Sequence, residues 1–501
     1  MPFEPIFETI SANNKKTVLS DHVKVECKTE IPTETVRKVL NISVFSALTN
    51  HDNQDGYINY AGKAVFYICY EDNDGNIRKC ECGSEFKGTI NAKDAEGCRV
   101  IVGVSTEKTE ADVSGIRLLA SAILCVKAEV RSCVDANALI GGENLICESQ
   151  DVSIKKGFGL KEGVYPVEEE FEIGYPIEEV LFHRAEPIVT AVQCGVGCII
   201  IDGEIRLSAI LLQKNEKKDI IKENKNLPFR IEVEYEDAMP SLTATSKATL
   251  KSFKTDIAVD ENNNKSIVTA SVILAFASEA FSIETVNIAK DVFSLTDNTE
   301  IEKGELCFSD VCDLRTGSAK ISSVYPLDET VGSATLKAVA GEKVEIISTS
   351  VSENRINVTG TLTTTAYFKS EEDRAFTRKI ELPFEAECNC VASSGCQVEV
   401  VALADCVSYK TGANGIELDT DLTFSVYPTE TRTVNYVKGV KSTGNKQVND
   451  CAISVYIPIE GENLWSLAKR LNVSPESLST TNPDLQFPLT GKERIVVYRQ
   501  K

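Results

Sequence analysis

The sequence predicts a mainly β protein, with three tandem antiparallel β-sandwich or barrel-like repeat domains followed by a small βααβ domain. Three observations support this prediction. Apolar and polar residues alternate with a period of two through most of the chain, which is typical of half-buried antiparallel strands. Two sets of strands recur at intervals of about 150 residues, which indicates internal repetition. Near the C-terminus the apolar spacing changes to that of amphipathic helices.

The recurring strands carry local markers as well as similar composition. One set follows Gly62, Gly203 and Gly360, and each strand runs into a charged turn. The strands after these turns contain Ser-Glu-Phe at 84–86 and Leu-Pro-Phe at 227–229 and 382–384. The second set begins near Ile116, Ile267 and Ile416. We therefore expect three diverged copies of one β domain, and the pattern leaves open whether each is a sandwich or a barrel.

These repeats and the change of period divide the chain. Residues 439–450 are polar and rich in turn-forming types, which predicts a short flexible linker. The predicted parts are an N-terminal segment (1–16), three β repeat domains (17–150, 151–300 and 301–438), a linker (439–453) and the βααβ domain (454–501).

The overall negative charge disfavours nucleic acids and anionic membranes as partners. The chain has 501 residues and a formal net charge of −22, so its field opposes binding to phosphate backbones and anionic lipid. We therefore expect no nucleic-acid partner. The start, Met1–Glu8, lacks a basic region followed by an apolar one, and no apolar stretch is long enough to cross a bilayer. The sequence predicts a cytoplasmic protein without a transmembrane segment.

Residues for catalysis or cofactor binding are not grouped in the sequence. His22, His51 and His183 have no Cys, Ser or Asp motif beside them that would predict a triad or a metal site. The 17 cysteines are irregularly spaced and lack zinc-ribbon spacing, which favours reduced, packed thiols. No glycine-rich phosphate-binding motif occurs. We therefore predict a protein that is not an enzyme, with no catalytic residue, metal or cofactor.

The C-terminal part has two helix signals between short strands. Asn463 is placed to cap a first helix, whose apolar residues share one face: Leu464, Leu467, Ala468 and Leu471. Ser474-Pro475-Glu476 is a second start signal, and Asn482-Pro483 ends that helix. Strands are expected at 454–457 and 494–498. The predicted order is strand, helix, helix, strand.

The motif Gly461-Glu462-Asn463-Leu464-Trp465, followed by Asn482-Pro483, resembles a LysM domain. The family usually has Gly-Asp-Thr where this chain has Gly461-Glu462-Asn463, and an apolar residue at Pro458. The resemblance implies a shallow groove for N-acetylglucosamine polymers between the loop before the first helix and the loop after the second. Its residues would be Gly461, Glu462, Asn463, Leu464, Asn482, Pro483 and Asp484. Trp465 either fills the core of this small domain or contacts the ligand.

β repeats followed by a LysM domain, without a secretion signal, resemble the SipL-like spore coat assembly proteins, which are built from SPOCS domains. The resemblance implies a non-enzymatic adaptor in the mother-cell cytoplasm. Its LysM domain would dock on the coat morphogenetic ATPase SpoIVA, or on other coat proteins, at the forespore surface. The alternative is a cell-wall protein that binds peptidoglycan glycan and uses its β domains as spacers. A wall hydrolase would need a catalytic domain for which the sequence offers no residues.

Overall fold

Antiparallel strands make up most of the computed structural model, as the period-two alternation predicts. The structure describes residues 3–13, 17–31, 36–95, 97–114, 116–261, 263–312, 314–326, 331, 334–352, 355–389, 396–405, 407–412, 415–447 and 452–498. Over these ranges the helices are too short and too polar to span a bilayer.

The strands fall into three consecutive groups and a C-terminal unit. The first group is β1 (Glu4–Asn13), β2 (Thr17–Glu30), β3 (Val36–Gln54), β4 (Tyr57–Asp72), β5 (Ile77–Asn91), β6 (Arg99–Ser114), β7 (Arg117–Arg131) and β8 (Cys133–Glu143). The second is β9 (Leu145–Glu172), β10 (Ile177–Cys194), β11 (Cys198–Gln213), β12 (Ile220–Glu234), β13 (Thr243–Val259) and β14 (Lys265–Ser294). The third is β15 (Asp297–Val311), β16 (Arg315–Tyr325), β17 (Thr335–Ser352), β18 (Arg355–Lys369), β19 (Ala375–Asn389), β20 (Cys396–Ala404), β21 (Ser408–Gly412) and β22 (Gly415–Asn445). The C-terminal unit is β23 (Ile453–Tyr456), α1 (Leu464–Leu471), α2 (Pro475–Thr481) and β24 (Ile495–Tyr498).

Each group forms a pair of facing sheets around its own apolar core. In the first pair, β2-β7-β6 faces β3-β4-β5, and Phe66 and Leu124 meet between them. In the second, β13-β14-β9 faces β10-β11-β12. In the third, β17-β18-β19 faces a sheet in which β22 pairs with β16, β20 and β21. Each group is therefore built from two antiparallel sheets that bury their apolar faces against each other.

A glycine–phenylalanine contact occurs at the equivalent place in each sheet pair, between β4 and β5, between β11 and β12, and between β18 and β19. Gly62, Gly203 and Gly360 lie directly opposite Phe86, Phe229 and Phe384 on the neighbouring strand. A β-carbon on these glycines would lie 2.4, 2.3 and 2.5 Å from the ring, and equally close to a backbone carbonyl oxygen. Each ring covers a glycine that has no room for a side chain, a known way of pinning strand register.

Three two-stranded ribbons extend from the sheet pairs. They are β1 with β8, residues 145–157 of β9 with 281–294 of β14, and β15 with 429–445 of β22. The ribbons bury their apolar sides against one another around Ala138, Ile288 and Phe308. An isolated two-stranded ribbon is marginal in water, so each of these depends on the other two.

The three sheet pairs also share one buried apolar cluster. Leu40 and Cys69 come from the first pair, Phe182 and Ile210 from the second, and Tyr367 from the third. The hydroxyl of Tyr367 accepts a 2.7 Å hydrogen bond from the amide of Asn41. We call this set, with the other residues of the same cluster, the central cluster: Leu40, Cys69, Ile77, Leu181, Phe182, Ile210, Leu212, Ile220, Ala338, Ala340, Tyr367 and Ala375.

Charged side chains join the sheet pairs where the apolar contacts end. Glu71, which is fully buried, pairs with Arg37 of its own group and lies 3.8 Å from Arg374 of the third. The ammonium group of Lys247 in the second group lies 3.0 Å from Glu129 in the first and 2.6 Å from Glu399 in the third. Removing one partner of such a pair would leave an unpaired charge buried in the interface.

The predicted boundaries between the parts of the chain do not coincide with the ends of the strands, because the ribbons continue across them. The expected N-terminal segment contains β1, which pairs with β8, and the boundaries expected after residues 150 and 300 fall inside β9 and β15. Residues 439–445, expected to be linker, continue β22 because they pair with β15. Residues 448–451 of that predicted linker lie outside the described residues.

The glycine–phenylalanine contact predicts a large cost for a small substitution. Gly203→Ala should lower the free energy of unfolding by about 1–3 kcal/mol, because the added methyl group overlaps Phe229 and the carbonyl oxygen of Ile188. The measurement is the urea unfolding midpoint of the full chain. Gly103→Ala is the matched control, since Gly103 lies in β6 and an added methyl group there would meet no atom within 4 Å. Equal effects of the two substitutions would contradict the steric explanation.

Candidate functional site

The helices of the C-terminal unit begin where their sequence signals predict. The side chain of Asn463 accepts a 2.8 Å hydrogen bond from the backbone N–H of Ser466, and the Ser466 hydroxyl accepts one from the N–H of Asn463. This reciprocal pair is a capping box at the start of α1. Ser474 caps α2 in a similar way, with Pro475 in its first turn. Both helices pack on β23 and β24 through a small core that includes Leu467, Leu478 and Ile495.

The first predicted groove loop is tied to the segment that follows α2. The N–H of Gly461 donates to the carbonyl of Leu489 at 2.8 Å, and the N–H of Leu489 donates to the carbonyl of Glu462 at 3.0 Å. Gly461 has φ +85°, which glycine adopts without the strain that other residues would meet. The structure therefore brings Gly461 and Glu462 next to the later loop, at Leu489.

The carboxylate of Glu462 is already engaged within the unit. Arg470 donates two hydrogen bonds to it, at 2.7 and 2.8 Å, and the N–H of Ile459 donates a third at 2.8 Å. The hydrogen bond from Arg470 is the main reason that the pKa of Glu462 lies below its usual value. Glu462, a predicted groove residue, therefore holds the loop before α1 to Arg470 of α1.

The remaining predicted groove residues divide into structural and exposed positions. Asn482 accepts from the N–H of Val496 and donates to its carbonyl, both at 2.8 Å, so its side chain holds the end of α2 against β24. Leu464 packs at the edge of the core. Pro483 and Asp484 are exposed. With Asn463 capping α1, most of the polar groups expected to contact a glycan make bonds inside the unit.

Trp465 lies on the side of α1 that faces the second ribbon. It is outside the described core of the C-terminal unit and packs on Phe293 of β14, with ring centroids 5.2 Å apart in an edge-on arrangement. Its indole N–H donates a 2.8 Å hydrogen bond to Asp291. The expectation that Trp465 fills the core is therefore wrong, because the helix face that carries it lies against the second ribbon.

Asp291 is the centre of this contact. The ammonium group of Lys469 lies 2.7 and 2.8 Å from its two carboxylate oxygens, and Trp465 donates to one of them. Burial would raise the pKa of Asp291, but the hydrogen bonds from Lys469 and Trp465 outweigh it, and the pKa lies below the ordinary aspartate value. The carboxylate is therefore charged at neutral pH.

A second set of bonds joins the end of β22 to the same contact. Lys446 donates to the side-chain oxygen of Asn472 at 2.7 Å and to the carbonyl of Ser294 at 2.6 Å. Asn472, which ends α1, donates to the carbonyl of Leu295 at 2.7 Å. These residues, with Asp291, Phe293, Trp465 and Lys469, form what we call the ribbon contact. It attaches the C-terminal unit to the tips of the second and third ribbons.

Sequence reasoning missed a large apolar surface on the C-terminal unit. Ile453, Val455, Ile457 and Ile459 are 60% to 71% exposed, and Tyr498, opposite Ile453 on β24, is 55% exposed. Alternation at these positions would ordinarily predict a buried face. The other face of the sheet meets the helices instead, since Ile495 and Val497 are buried there. We call Ile453, Val455, Ile457, Ile459 and Tyr498 the outer face.

Comparison with protein-family models, with curated proteins and with solved structures finds no match to this chain.

The ribbon contact predicts a fluorescence change, because Trp465 is the sole tryptophan of the chain. Asp291→Ala should release Trp465 into water and shift its emission to longer wavelength. The contact should weaken by about 1.5–3 kcal/mol, the usual worth of hydrogen bonds to a charged group. The lower end is expected, because the Lys469 side chain is 35% exposed. Asp484→Ala, at an exposed aspartate of the same unit, is the control and should leave the emission unchanged.

The pKa of Asp291 also predicts how the contact depends on pH. A carboxylate with a lowered pKa stabilises the folded contact above the unfolded value of about 3.9 and loses that contribution as the pH falls through the lower folded value. The emission of Trp465 should therefore stay constant from neutral pH to about pH 4 and shift only below it. The titration is read beside far-UV circular dichroism, which shows whether the sheets remain folded. A shift between pH 5 and 7 with intact sheets would contradict this account.

Proposed function

We propose that the three sheet pairs are diverged tandem copies of one β domain and that the C-terminal unit is a LysM domain. Three observations support the first statement: the recurring glycine–phenylalanine contact, the matching sheet order, and one ribbon beside each pair. The order β23, α1, α2, β24 supports the second, together with the pairing of the loop at Gly461 with the loop after α2.

On this basis we propose a non-enzymatic adaptor of endospore coat assembly. It would act in the mother-cell cytoplasm at the forespore surface, as the resemblance to SipL-like proteins implies. The β domains would form a rigid body, and the LysM domain would bind a protein partner, the coat morphogenetic ATPase SpoIVA or another coat protein.

The outer face is the observation that carries this proposal. It has four aliphatic side chains at alternate positions, two in β23 and two in the segment after it, and each is at least 60% exposed. Exposed apolar side chains so close together are unfavourable in water and typical of surfaces that bind other proteins. The C-terminal unit carries nearly equal numbers of acidic and basic residues, unlike the strongly acidic rest of the chain, so it offers no long-range repulsion to an acidic partner.

The backbone beside the outer face adds a second means of binding. β23 and β24 form a two-stranded sheet, so each has an outer edge that pairs with no other described strand. Such an edge can accept a strand from a partner, while alternate side chains of that strand contact an apolar surface. Protein binding by strand addition therefore fits both the edge and the face.

The groove residues favour protein over glycan as the ligand. A glycan is held by polar side chains with free hydrogen-bonding groups. The side chains of Glu462, Asn463 and Asn482 instead make hydrogen bonds inside the unit. Exposed Pro483 and Asp484 would remain for a sugar chain. We therefore expect a protein ligand, and the experiment below also measures binding to peptidoglycan.

The test changes the outer face in the full chain. Ile457→Glu with Ile459→Glu should reduce capture of SpoIVA from sporulating cells, or its affinity with purified protein, at least tenfold, because two charges would be buried on binding. Val196→Glu is the control, since Val196 is 86% exposed in the turn between β10 and β11, away from the C-terminal unit. Circular dichroism of each variant checks that the fold is retained.

Two results would contradict the proposal. Undiminished capture of SpoIVA by the double variant would remove the outer face as the docking surface. Sedimentation of the unmodified chain with purified peptidoglycan, lost in Asp484→Ala but not in the double variant, would support the cell-wall alternative instead.

A further inference from the structure

Three side chains that are far apart in the sequence meet on the outer surface of the first sheet pair. His22 on β2 lies directly opposite Cys125 on β7, and Glu107 comes from β6 on the other side of β7. The imidazole nitrogen, the thiol sulfur and a carboxylate oxygen all lie within 4.8 Å of one another. This arrangement is independent of the C-terminal unit and of its proposed partner.

A β-bulge brings Glu107 into this group. β6 pairs regularly with β7 up to Thr106, which lies opposite Leu124, and resumes at Lys108 opposite Ile123, so Glu107 is the extra residue. Bulges re-aim one side chain and are common beside functional sites. Here the bulge places a carboxylate beside the residues that share the outer surface, His22 and Cys125.

The bulge is held from outside its own sheet. The carbonyl of Thr106 accepts a 3.0 Å hydrogen bond from Lys343 in the third group, and the Thr106 hydroxyl lies 3.4 Å from that of Ser46 on β3. Contacts with two other strands therefore fix the backbone that carries Glu107. The carboxylate is positioned by the assembled fold rather than by β6 alone.

The separation of His22 from Glu107 suits two ligands of a tetrahedral metal ion. His22 Nε2 and Glu107 Oε1 are 3.3 Å apart. Zinc binds nitrogen and oxygen ligands at about 2.0 Å, which puts two tetrahedral ligands about 3.3 Å from each other. Nitrogen, thiolate and carboxylate ligands together are a set that zinc accepts, whereas Mg²⁺ and Ca²⁺ require oxygen.

We propose that His22, Glu107 and Cys125 form a Zn²⁺ site with its fourth position open to water. The side chains of His22 and Glu107 are 55% and 47% exposed, which leaves a path for the ion and a solvent ligand. Cys125 is 3% exposed and forms the floor of the site. On binding, the thiol releases its proton to water and the thiolate sulfur coordinates the ion.

A simple ion pair accounts for less of the geometry. A protonated His22 would attract Glu107 and the Cys125 thiol would donate a hydrogen bond to the same carboxylate, but an attraction between exposed charged groups is weak and a thiol is a weak donor. The absence of a sequence motif is also explained, because the ligands come from three strands and one of them depends on a bulge. Sequence spacing therefore predicts no metal at these residues.

The experiment uses the full chain, freed of metal by a chelator and kept reduced with a phosphine. Co²⁺ is the probe, because a cobalt–thiolate bond gives a charge-transfer band in the near ultraviolet and tetrahedral cobalt absorbs strongly in the visible. We expect both bands, saturation at one ion for each chain, and their loss when Zn²⁺ is added. His22→Ala should weaken binding by at least about tenfold, as even supporting residues of metal sites do.

Variants separate this site from the many other thiols of the chain. Cys125→Ser should abolish the charge-transfer band, and Glu107→Gln should weaken binding without affecting the fold, because its side chain is exposed. Cys133→Ser, at an exposed cysteine of β8, and His51→Ala are the controls and should bind as the unmodified chain does. Thermal unfolding of each variant identifies any that fails to fold.

The proposal fails if the unmodified chain shows no thiolate band with Co²⁺. It also fails if the band persists in folded Cys125→Ser, or if folded His22→Ala and Glu107→Gln bind Co²⁺ as tightly as the unmodified chain, because the ion would then sit on other thiols.

Discussion

The central cluster is the constraint on which the rest of the molecule depends. Each sheet pair has its own core, but the residues around Leu40, Phe182 and Tyr367 are buried only when all three pairs are together. The burial of Glu71 and the bridge from Lys247 follow from the same contact, since each joins different groups. The three ribbons are aligned by it as well, because they leave the sheet pairs side by side. The hydrophobic effect at one three-way junction therefore organises both ends of the β body.

Local features were largely predictable from the sequence, because they depend on neighbours in the chain. The period-two alternation predicted the strands, and Asn463, Ser474 and Pro475 marked the starts of two short helices. The recurring glycines predicted equivalent strands, and the structure adds the reason, a phenylalanine ring opposite each. Residues 439–445 show the limit of such reasoning, because pairing with β15 overrides their turn-like composition.

The candidate sites were less predictable, because they depend on contacts between distant residues. From its helix alone, Trp465 is expected to be a core residue. In the structure it contacts Asp291 and Phe293 of β14, and no sequence signal in α1 predicts these two contacts. The outer face carries an alternation that normally marks buried strands, and only the pairing with β24 decides which side meets the helices. The carboxylate of Glu107 reaches Cys125 through a bulge that no sequence pattern signals. In each case, contacts between residues that are distant in the sequence decide the position of the side chain.

The second ribbon sets how the C-terminal unit is presented to its surroundings. Strands rise by about 3.4 Å for each residue, so the ribbon is about 34 Å long from Phe281 to Asp291, where the unit is attached. A flexible tether of similar reach would let the unit sample many orientations and would lose that freedom on binding. Anchored by Asp291 and Lys446, the unit instead behaves as the tip of a stiff arm. If the proposed function holds, copies of the chain attached to one surface would present their C-terminal units at a common height.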